Sequence, residues 1–148
     1  MAIIDNRVSQ FIEDKDSRIS VGIKLPFSNA SRDGYFNSSK TTIGAVKNNI
    51  KMLLNTDKGE RLFQPNLGIS IKEFLFQPLD DEIQIQIENS IVDAMEIWMP
   101  FVELLDIQIN KNNNQLNVKL DFRISKSVNY LSNSENNVET VNLNFNRE

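Results

Sequence analysis

The sequence predicts an α+β fold in a single domain over residues 1–148, with central helices packed on a mainly antiparallel sheet and a β-meander at the C-terminal end. A single core is expected because the chain has 148 residues, of which 40% are hydrophobic. Hydrophobic residues recur at helical spacing in the middle of the chain and at every second position in its last third. Helices and strands therefore occupy separate stretches, unlike the regular alternation of a doubly wound fold.

The N-terminal segment, residues 1–17, is predicted to form a short amphipathic helix. Its apolar stripe comprises Ile4, Val8, Phe11 and Ile12. This helix either packs against its own domain or binds a partner protein. Strict alternation from Ile19 to Phe27 then predicts a half-buried strand, and Pro26 places that strand at a sheet edge or ends it. The polar run over residues 28–40 predicts an exposed loop.

Three helices are predicted in the centre of the chain. Thr41 or Thr42 can cap the first helix. Ser70 can cap a short second helix that Pro78 closes, and Asp80 begins a long third helix. The apolar residues assigned to them are Ile43, Val46, Ile50, Leu53 and Leu54 in the first, Ile71, Phe74, Leu75 and Phe76 in the second, and Ile83, Ile87, Ile91, Ala94, Met95 and Trp98 in the third.

Residues 101–148 hold the predicted C-terminal strands. Their alternating apolar residues are Leu105, Ile107 and Ile109 in the first strand, Leu116, Val118, Leu120, Phe122 and Ile124 in the second, and Val141, Leu143 and Phe145 in the last. The last strand either completes the chain's own sheet or pairs at its edge with a partner. Five main-chain hydrogen bonds of about 0.5–1.5 kcal/mol each amount to roughly 3–7 kcal/mol, so a lasting pair needs the effective concentration of a ring of subunits.

The composition argues against most catalytic and nucleic-acid-binding classes of protein. A net charge of −4 does not favour binding to the phosphate backbone of a nucleic acid. The absence of cysteine and histidine removes the commonest metal ligands and the commonest general base. The sequence contains no glycine-rich phosphate motif and no apolar stretch of the roughly 20 residues that span a bilayer. We therefore expect no cofactor, no metal, no nucleic acid and no membrane partner.

Glu60 is the one acid in an unusual local context, because it precedes Arg61 in the connection after the first helix. A glycosidase needs two carboxyl groups that face one sugar bond, one of them with a raised pKa. An adjacent arginine favours the ionised carboxylate, which is the wrong form for a general acid. An ion pair or a backbone-capping role is therefore favoured over catalysis.

An ordered set of motifs resembles a known family over roughly residues 19–125. The set consists of the TT-I-AVKNNIKMLL helix, the GERLFQPNLG connection, the short IKEFLFQP helix, and the long helix followed by strands. Its most specific parts are Lys58–Arg61, Pro65, Gly68 and the ending Leu75–Pro78. In this order the chain resembles the small baseplate wedge, or sheath-initiator, family of contractile phage tails. That family often carries a lysozyme-like label and has a relative in the type VI secretion baseplate.

The resemblance implies a structural protein and not an enzyme. It implies a component of the virion, located in the tail baseplate and assembled in the host cytoplasm. The implied partners are other baseplate wedge subunits and the tail sheath protein, in a large sixfold assembly around the tube. The terminal strands would pair with strands of the first sheath ring through the segment that contains Val141, Leu143 and Phe145. The alternatives are a type VI secretion baseplate subunit and a peptidoglycan-cleaving muramidase.

The chain departs from the family at one implied contact. Members commonly carry Glu-Pro-Arg between the long helix and the next strand, and those charges contact helices of neighbouring wedge subunits. The corresponding residues here are Met99, Pro100 and Phe101, so only the proline matches. We predict an apolar version of this contact. Glu60 and Arg61 complete the set of predicted partner-binding residues.

Overall fold

The protein has an α+β fold, which confirms the predicted fold class. The computed structural model describes residues 18–28, 36–78, 80–112, 115–125 and 138–146. The predicted N-terminal helix lies outside these ranges. The elements in chain order are β1 (Gly22–Ile23), β2 (Ser38–Ser39), α1 (Thr42–Asn55), α2 (Ile71–Phe74), α3 (Asp81–Trp98), β3 (Val102–Asn112), β4 (Gln115–Ile124) and β5 (Glu139–Asn146). None of these helices is long and apolar enough to cross a membrane.

The described residues fall into two compact units, and the boundary between them lies within α1. The first unit contains β1, β2 and the beginning of α1. The second contains the rest of α1 and all later elements. The assignment of one domain to the whole chain stays a prediction.

In the first unit, β1 and β2 form a two-stranded antiparallel sheet of two residues each. The strand predicted from Ile19 to Phe27 is shorter than expected, because only Gly22 and Ile23 form it. The flanking Val21 and Lys24 N–H groups still donate to the carbonyl oxygens of Ser39 and Asn37, both at 2.9 Å. The alternating side chains Ile19, Ile23 and Phe27 are exposed. Phe27 instead contacts Phe36, with the two ring centroids 5.6 Å apart.

Helix α1 begins where the sequence predicts, and Thr41 is its cap. The Thr41 Oγ1 accepts a hydrogen bond from the Gly44 backbone N–H at 3.2 Å. Most of the predicted stripe is buried, namely Val46, Ile50, Leu53 and Leu54, whereas Ile43 is half-buried.

Helices α2 and α3 pack against each other in the second unit. The sequence predicts that α3 begins at Asp80, and Asp80 is its cap: the carboxylate accepts a hydrogen bond from the Ile83 backbone N–H at 3.3 Å. The predicted side-chain cap by Ser70 is wrong, because that side chain makes no cap hydrogen bond. Phe76 lies past the end of α2 and is exposed. The buried residues of α3 are Ile87, Ile91, Ala94 and Met95.

The sheet of the second unit has the strand order β3-β4-β5 and is antiparallel throughout, as the predicted meander requires. Helix α3 packs against β3. The alternating side chains of the two later strands are all buried and form the centre of the core: Leu116, Val118, Leu120, Phe122, Ile124, Val141, Leu143 and Phe145.

Strand β3 departs from the predicted alternation at Leu105. Leu104 pairs with Phe122 and Asp106 pairs with Asp121, so the intervening Leu105 is the extra residue of a β-bulge. The bulge turns Leu105 away from the core, and 46% of its surface is exposed. Ile109, beyond the bulge, is buried as predicted.

The bulge predicts different costs for two similar substitutions. Leu105→Asn should change the free energy of unfolding by less than about 1 kcal/mol, because the side chain already lies half in solvent. Leu120→Asn should cost about 3–5 kcal/mol, because it removes a fully buried side chain and buries an amide without a partner. Urea denaturation followed by circular dichroism measures both values. Equal costs would show that Leu105 faces the core.

Candidate partner-binding site

The connection between α1 and α2 is a loop of three consecutive β-turns, called here the three-turn loop (residues 56–69). In each turn a backbone N–H donates to the carbonyl oxygen three residues earlier, at 3.1–3.2 Å. The turns span Asp57–Glu60, Arg61–Gln64 and Gln64–Leu67. Although the loop contains no helix or strand, its backbone is therefore fixed by its own hydrogen bonds.

Two residues in this loop suit their turn positions. Gly59 occupies the third position of the first turn with φ of 87°, a value that side chains disfavour and that a type II turn requires. Pro65 occupies the second position of the third turn, where its fixed φ favours the turn. The Gly59 N–H also donates to the Pro65 carbonyl oxygen at 2.7 Å, which ties the first turn to the third.

The two ends of the loop meet at Thr56. The Ile69 N–H donates to the Thr56 carbonyl oxygen at 2.9 Å. Gly68 has φ of 113°, and a Cβ atom on it would lie 2.2 Å from that same oxygen. Only glycine allows the backbones to approach this closely, so Gly68 is the residue that permits closure of the loop.

Glu60 caps the backbone, which was one of the two roles that the sequence favoured. Its Oε2 accepts a hydrogen bond from the Asp57 backbone N–H at 3.1 Å. Arg61 makes no ion pair with Glu60; its Nη2 lies 3.3 Å from Met52 Sδ. Asp57 binds Lys72 of α2 at 2.8 Å, and this hydrogen bond raises the pKa of the lysine.

The tip of the loop exposes two large apolar side chains that the sequence analysis did not single out. Leu62 and Phe63 are the two central residues of the second turn, and 88% and 93% of their surfaces are exposed. We call this pair the turn tip. Its sequence signal is an apolar pair enclosed by turn residues, which hydrophobic periodicity does not detect because the pair belongs to no helix or strand.

A groove lies between the three-turn loop and the C-terminal half of α3. It encloses about 510 Å³ and is lined by Lys58, Asn66 and Gly68 of the loop and by side chains within residues 90–98. Ile97 at the groove is 70% exposed. Among the described residues no cluster of three or more acids could hold a metal ion.

The residues that replace Glu-Pro-Arg follow the end of α3. Met99 is only 5% exposed and therefore packs within its own unit, whereas Pro100 is exposed and Phe101 is half-buried. Pro100 and Phe101 are thus the accessible members of this set. The apolar contact with a wedge partner stays a prediction.

The predicted partner-binding residues Val141, Leu143 and Phe145 of β5 are buried in the core of the second unit. Their side chains are therefore packed in the chain's own core, so β5 can offer a partner only its outward main-chain groups and the exposed side chains that alternate with these three. Thr140 strengthens the attachment of β5 to β4, because its hydroxyl donates to Asp121 at 2.6 Å. This hydrogen bond, together with nearby Lys119, lowers the pKa of Asp121.

The direction of the β5 main-chain groups follows from the sheet register. The Ser125 N–H donates to the Phe101 carbonyl oxygen at 2.8 Å, so odd-numbered residues of β4 direct their main-chain groups toward β3. Even-numbered residues of β4 then bond to the odd-numbered residues of β5, for example Leu120 to Val141. The even-numbered residues of β5 direct theirs away from β4.

We call this set of groups the outer edge of β5. It comprises the N–H and C=O groups of Thr140, Asn142 and Asn144. Among the described strands, β5 has a neighbour on one side only.

A comparison with protein families matches residues 42–130 to the family described as baseplate wedge protein gp25. The match covers more than half of the chain. The chain belongs to this family. It is accordingly a gp25-like structural component of contractile tail systems. The match includes the three-turn loop and the segment from Met99 to Phe101.

Solved structures share the fold of this gp25-family chain at low sequence identity. A protein from Geobacter sulfurreducens whose name contains the words tail lysozyme is 23% identical, with a TM-score of 0.57 over 70% of this chain and 88% of that one. A chain of the anti-feeding prophage baseplate is 20% identical, with a TM-score of 0.59 over 70% and 83%. A chain of the type VI secretion system baseplate complex is 15% identical, with a TM-score of 0.57 over 72% and 93%. A search of curated protein sequences found no match.

Two glycine substitutions test the closure of the three-turn loop. Gly68→Ala should cost at least about 3 kcal/mol of folding free energy, because the new Cβ would collide with the Thr56 carbonyl oxygen at a left-handed φ. Gly59→Ala should cost only about 1–2 kcal/mol, because its φ is also left-handed but nothing lies within 4 Å of the new Cβ. Urea denaturation gives both values. A tolerated Gly68→Ala would contradict the close approach.

Proposed function

We propose that this chain is a baseplate wedge component of a phage tail that links wedge subunits around the tube and starts assembly of the sheath. In this proposal the outer edge of β5 pairs with a strand of the first sheath ring, in a sixfold virion assembly formed in the host cytoplasm. The observation that carries the proposal is an edge strand whose alternate side chains Val141, Leu143 and Phe145 are buried and whose outward main-chain groups have no described neighbour. Such an edge accepts a strand from another chain.

The two edges of the sheet differ in a way that favours β5 over β3. Proteins commonly protect a strand edge with a bulge or with charged side chains. Strand β3 has the bulge at Leu105 and carries Glu103, which pairs with Arg123 at 2.6 Å. Strand β5 pairs with β4 over eight residues without a register shift. Its exposed side chains from Thr140 to Asn144 are small or uncharged. Among the described strands, β5 therefore has the less protected edge.

The strength of such a contact suits a repeated assembly better than an isolated pair. Main-chain hydrogen bonds contribute about 0.5–1.5 kcal/mol each, so the few groups of the outer edge give a weak single contact. Repetition around a ring raises the effective concentration of each later contact. The contact therefore becomes lasting only when many copies are held around one tube, which suits a role in starting a polymer.

The geometry of Glu60 supports a structural role over peptidoglycan cleavage. A general acid of a glycosidase needs an apolar setting that raises its pKa and a second carboxyl group across the sugar bond. Glu60 is exposed, and its carboxylate accepts a hydrogen bond from the backbone of its own turn. The words tail lysozyme in the name of the Geobacter protein describe that protein and not this chain.

The type VI secretion alternative is distinguished by the neighbouring genes. Secretion genes beside the gene for this chain would favour a type VI baseplate subunit over a phage tail component.

A proline placed on the outer edge of β5 tests the strand pairing without disturbing the chain's own sheet. Asn142→Pro removes an N–H that points away from β4, so the β4–β5 hydrogen bonds remain. We expect particles that contain this variant to retain the baseplate and to lack an ordered sheath in negative-stain electron microscopy. The matched control is Asn142→Ala, which changes the same side chain, keeps the N–H and should give normal sheaths.

Urea denaturation should show that both Asn142 variants stay folded, with the proline costing no more than about 1.5 kcal/mol. This control separates loss of pairing from loss of the fold. Deleting β5 would not separate them, because Val141, Leu143 and Phe145 are part of the core. Normal sheaths on particles with folded Asn142→Pro would reject strand pairing as the function of this edge.

A further inference from the structure

The turn tip exposes a large apolar surface that the fold of its own unit does not require. Large apolar side chains are scattered on most surfaces, but Leu62 and Phe63 are adjacent and 88% and 93% exposed. They contribute almost nothing to the packing of their own unit. A role in folding therefore does not account for this pair, whereas exposed apolar residues that act together mark interaction sites.

The backbone that carries the turn tip is fixed before any partner binds. The Gln64 N–H donates to the Arg61 carbonyl oxygen across the pair. The turns on either side are held by the contact of Gly59 with Pro65 and by the closure at Thr56. A fixed loop loses little conformational entropy on binding. Less of the free energy gained by burying the two apolar side chains is therefore lost to ordering the loop.

The charges around the turn tip indicate the rim of the pocket that would receive it. Neither Lys58 nor Arg61 forms an ion pair with any residue in the described ranges. Of the neighbouring acids, Asp57 forms an ion pair with Lys72, and the Glu60 carboxylate is held against the Asp57 N–H. The loop that carries the turn tip therefore holds two cations without an ion-pair partner among the described residues, and these would complement an acidic rim on a partner.

We propose that the turn tip of Leu62 and Phe63 inserts into an apolar pocket with an acidic rim on a neighbouring baseplate protein, with Lys58 and Arg61 facing that rim. This inference rests on the proposed function, because it takes the partner to be another baseplate subunit. It assigns the tip to attachment within the baseplate and leaves sheath pairing to the outer edge of β5. In this proposal the turn tip occupies the partner's pocket as a protruding apolar anchor, and such anchors contribute much of the binding energy at interfaces.

The test measures binding of the purified chain to baseplate wedge complexes from cells that produce the other tail proteins but lack this chain. The double variant Leu62→Ser with Phe63→Ser should bind about 30-fold more weakly or worse, because both anchors are lost. Ile85→Gln, which also removes an exposed apolar side chain of the second unit, is the matched control and should bind like the unchanged chain. Arg61→Glu should slow association and reduce its dependence on salt.

A folding control and three further results complete the test of the proposal. The turn-tip variant should unfold at the same urea concentration as the unchanged chain, so weaker binding cannot come from misfolding. Equal binding of the variant and the unchanged chain would overturn the inference while leaving the proposed function intact. Failure of the unchanged chain to bind would instead reject the proposed function. Loss of self-association, or of binding to anionic lipid vesicles, in place of loss of wedge binding would also overturn the inference.

Discussion

The main-chain pairing of β5 with β4 is the constraint on which the account of this protein depends. Side chains and main-chain groups both alternate along a strand, so one choice of register fixes them together. The register places Val141, Leu143 and Phe145 in the core and uses their main-chain groups for the pairing with β4. It leaves the groups of the intervening residues at the outer edge. The strand is therefore anchored by half of its residues, and the other half carry the main-chain groups that we propose to pair with the sheath.

The three-turn loop holds two apolar side chains in solvent through a small number of backbone contacts. Gly68 allows two backbone segments to meet at Thr56, and the hydrogen bonds within the loop then hold Leu62 and Phe63 in solvent. Since one surface offers main-chain groups and the other offers apolar side chains, the two can engage different partners. Neither surface requires a catalytic group or a cofactor, which agrees with membership of a baseplate wedge family.

The sequence predicts those features that depend on local pattern. The buried faces of β4 and β5, the start of α3 at Asp80 and the cap of α1 at Thr41 follow from spacing and residue type. Features that depend on distant partners are missed. The strand from Ile19 is predicted too long, because its alternation does not show that three of its apolar side chains remain exposed, and Leu105 is misplaced because a bulge shifts the register. The exposed turn tip lacks any periodicity that could reveal it.

An electron-microscopic map of an intact tail that contains this chain tests the central claim most directly. The account predicts a strand of a sheath subunit about 4.8 Å from β5, with main-chain hydrogen bonds to Thr140, Asn142 and Asn144. A map in which the chain occupies the baseplate while this edge faces solvent, or meets its neighbour only through side chains, would contradict the account.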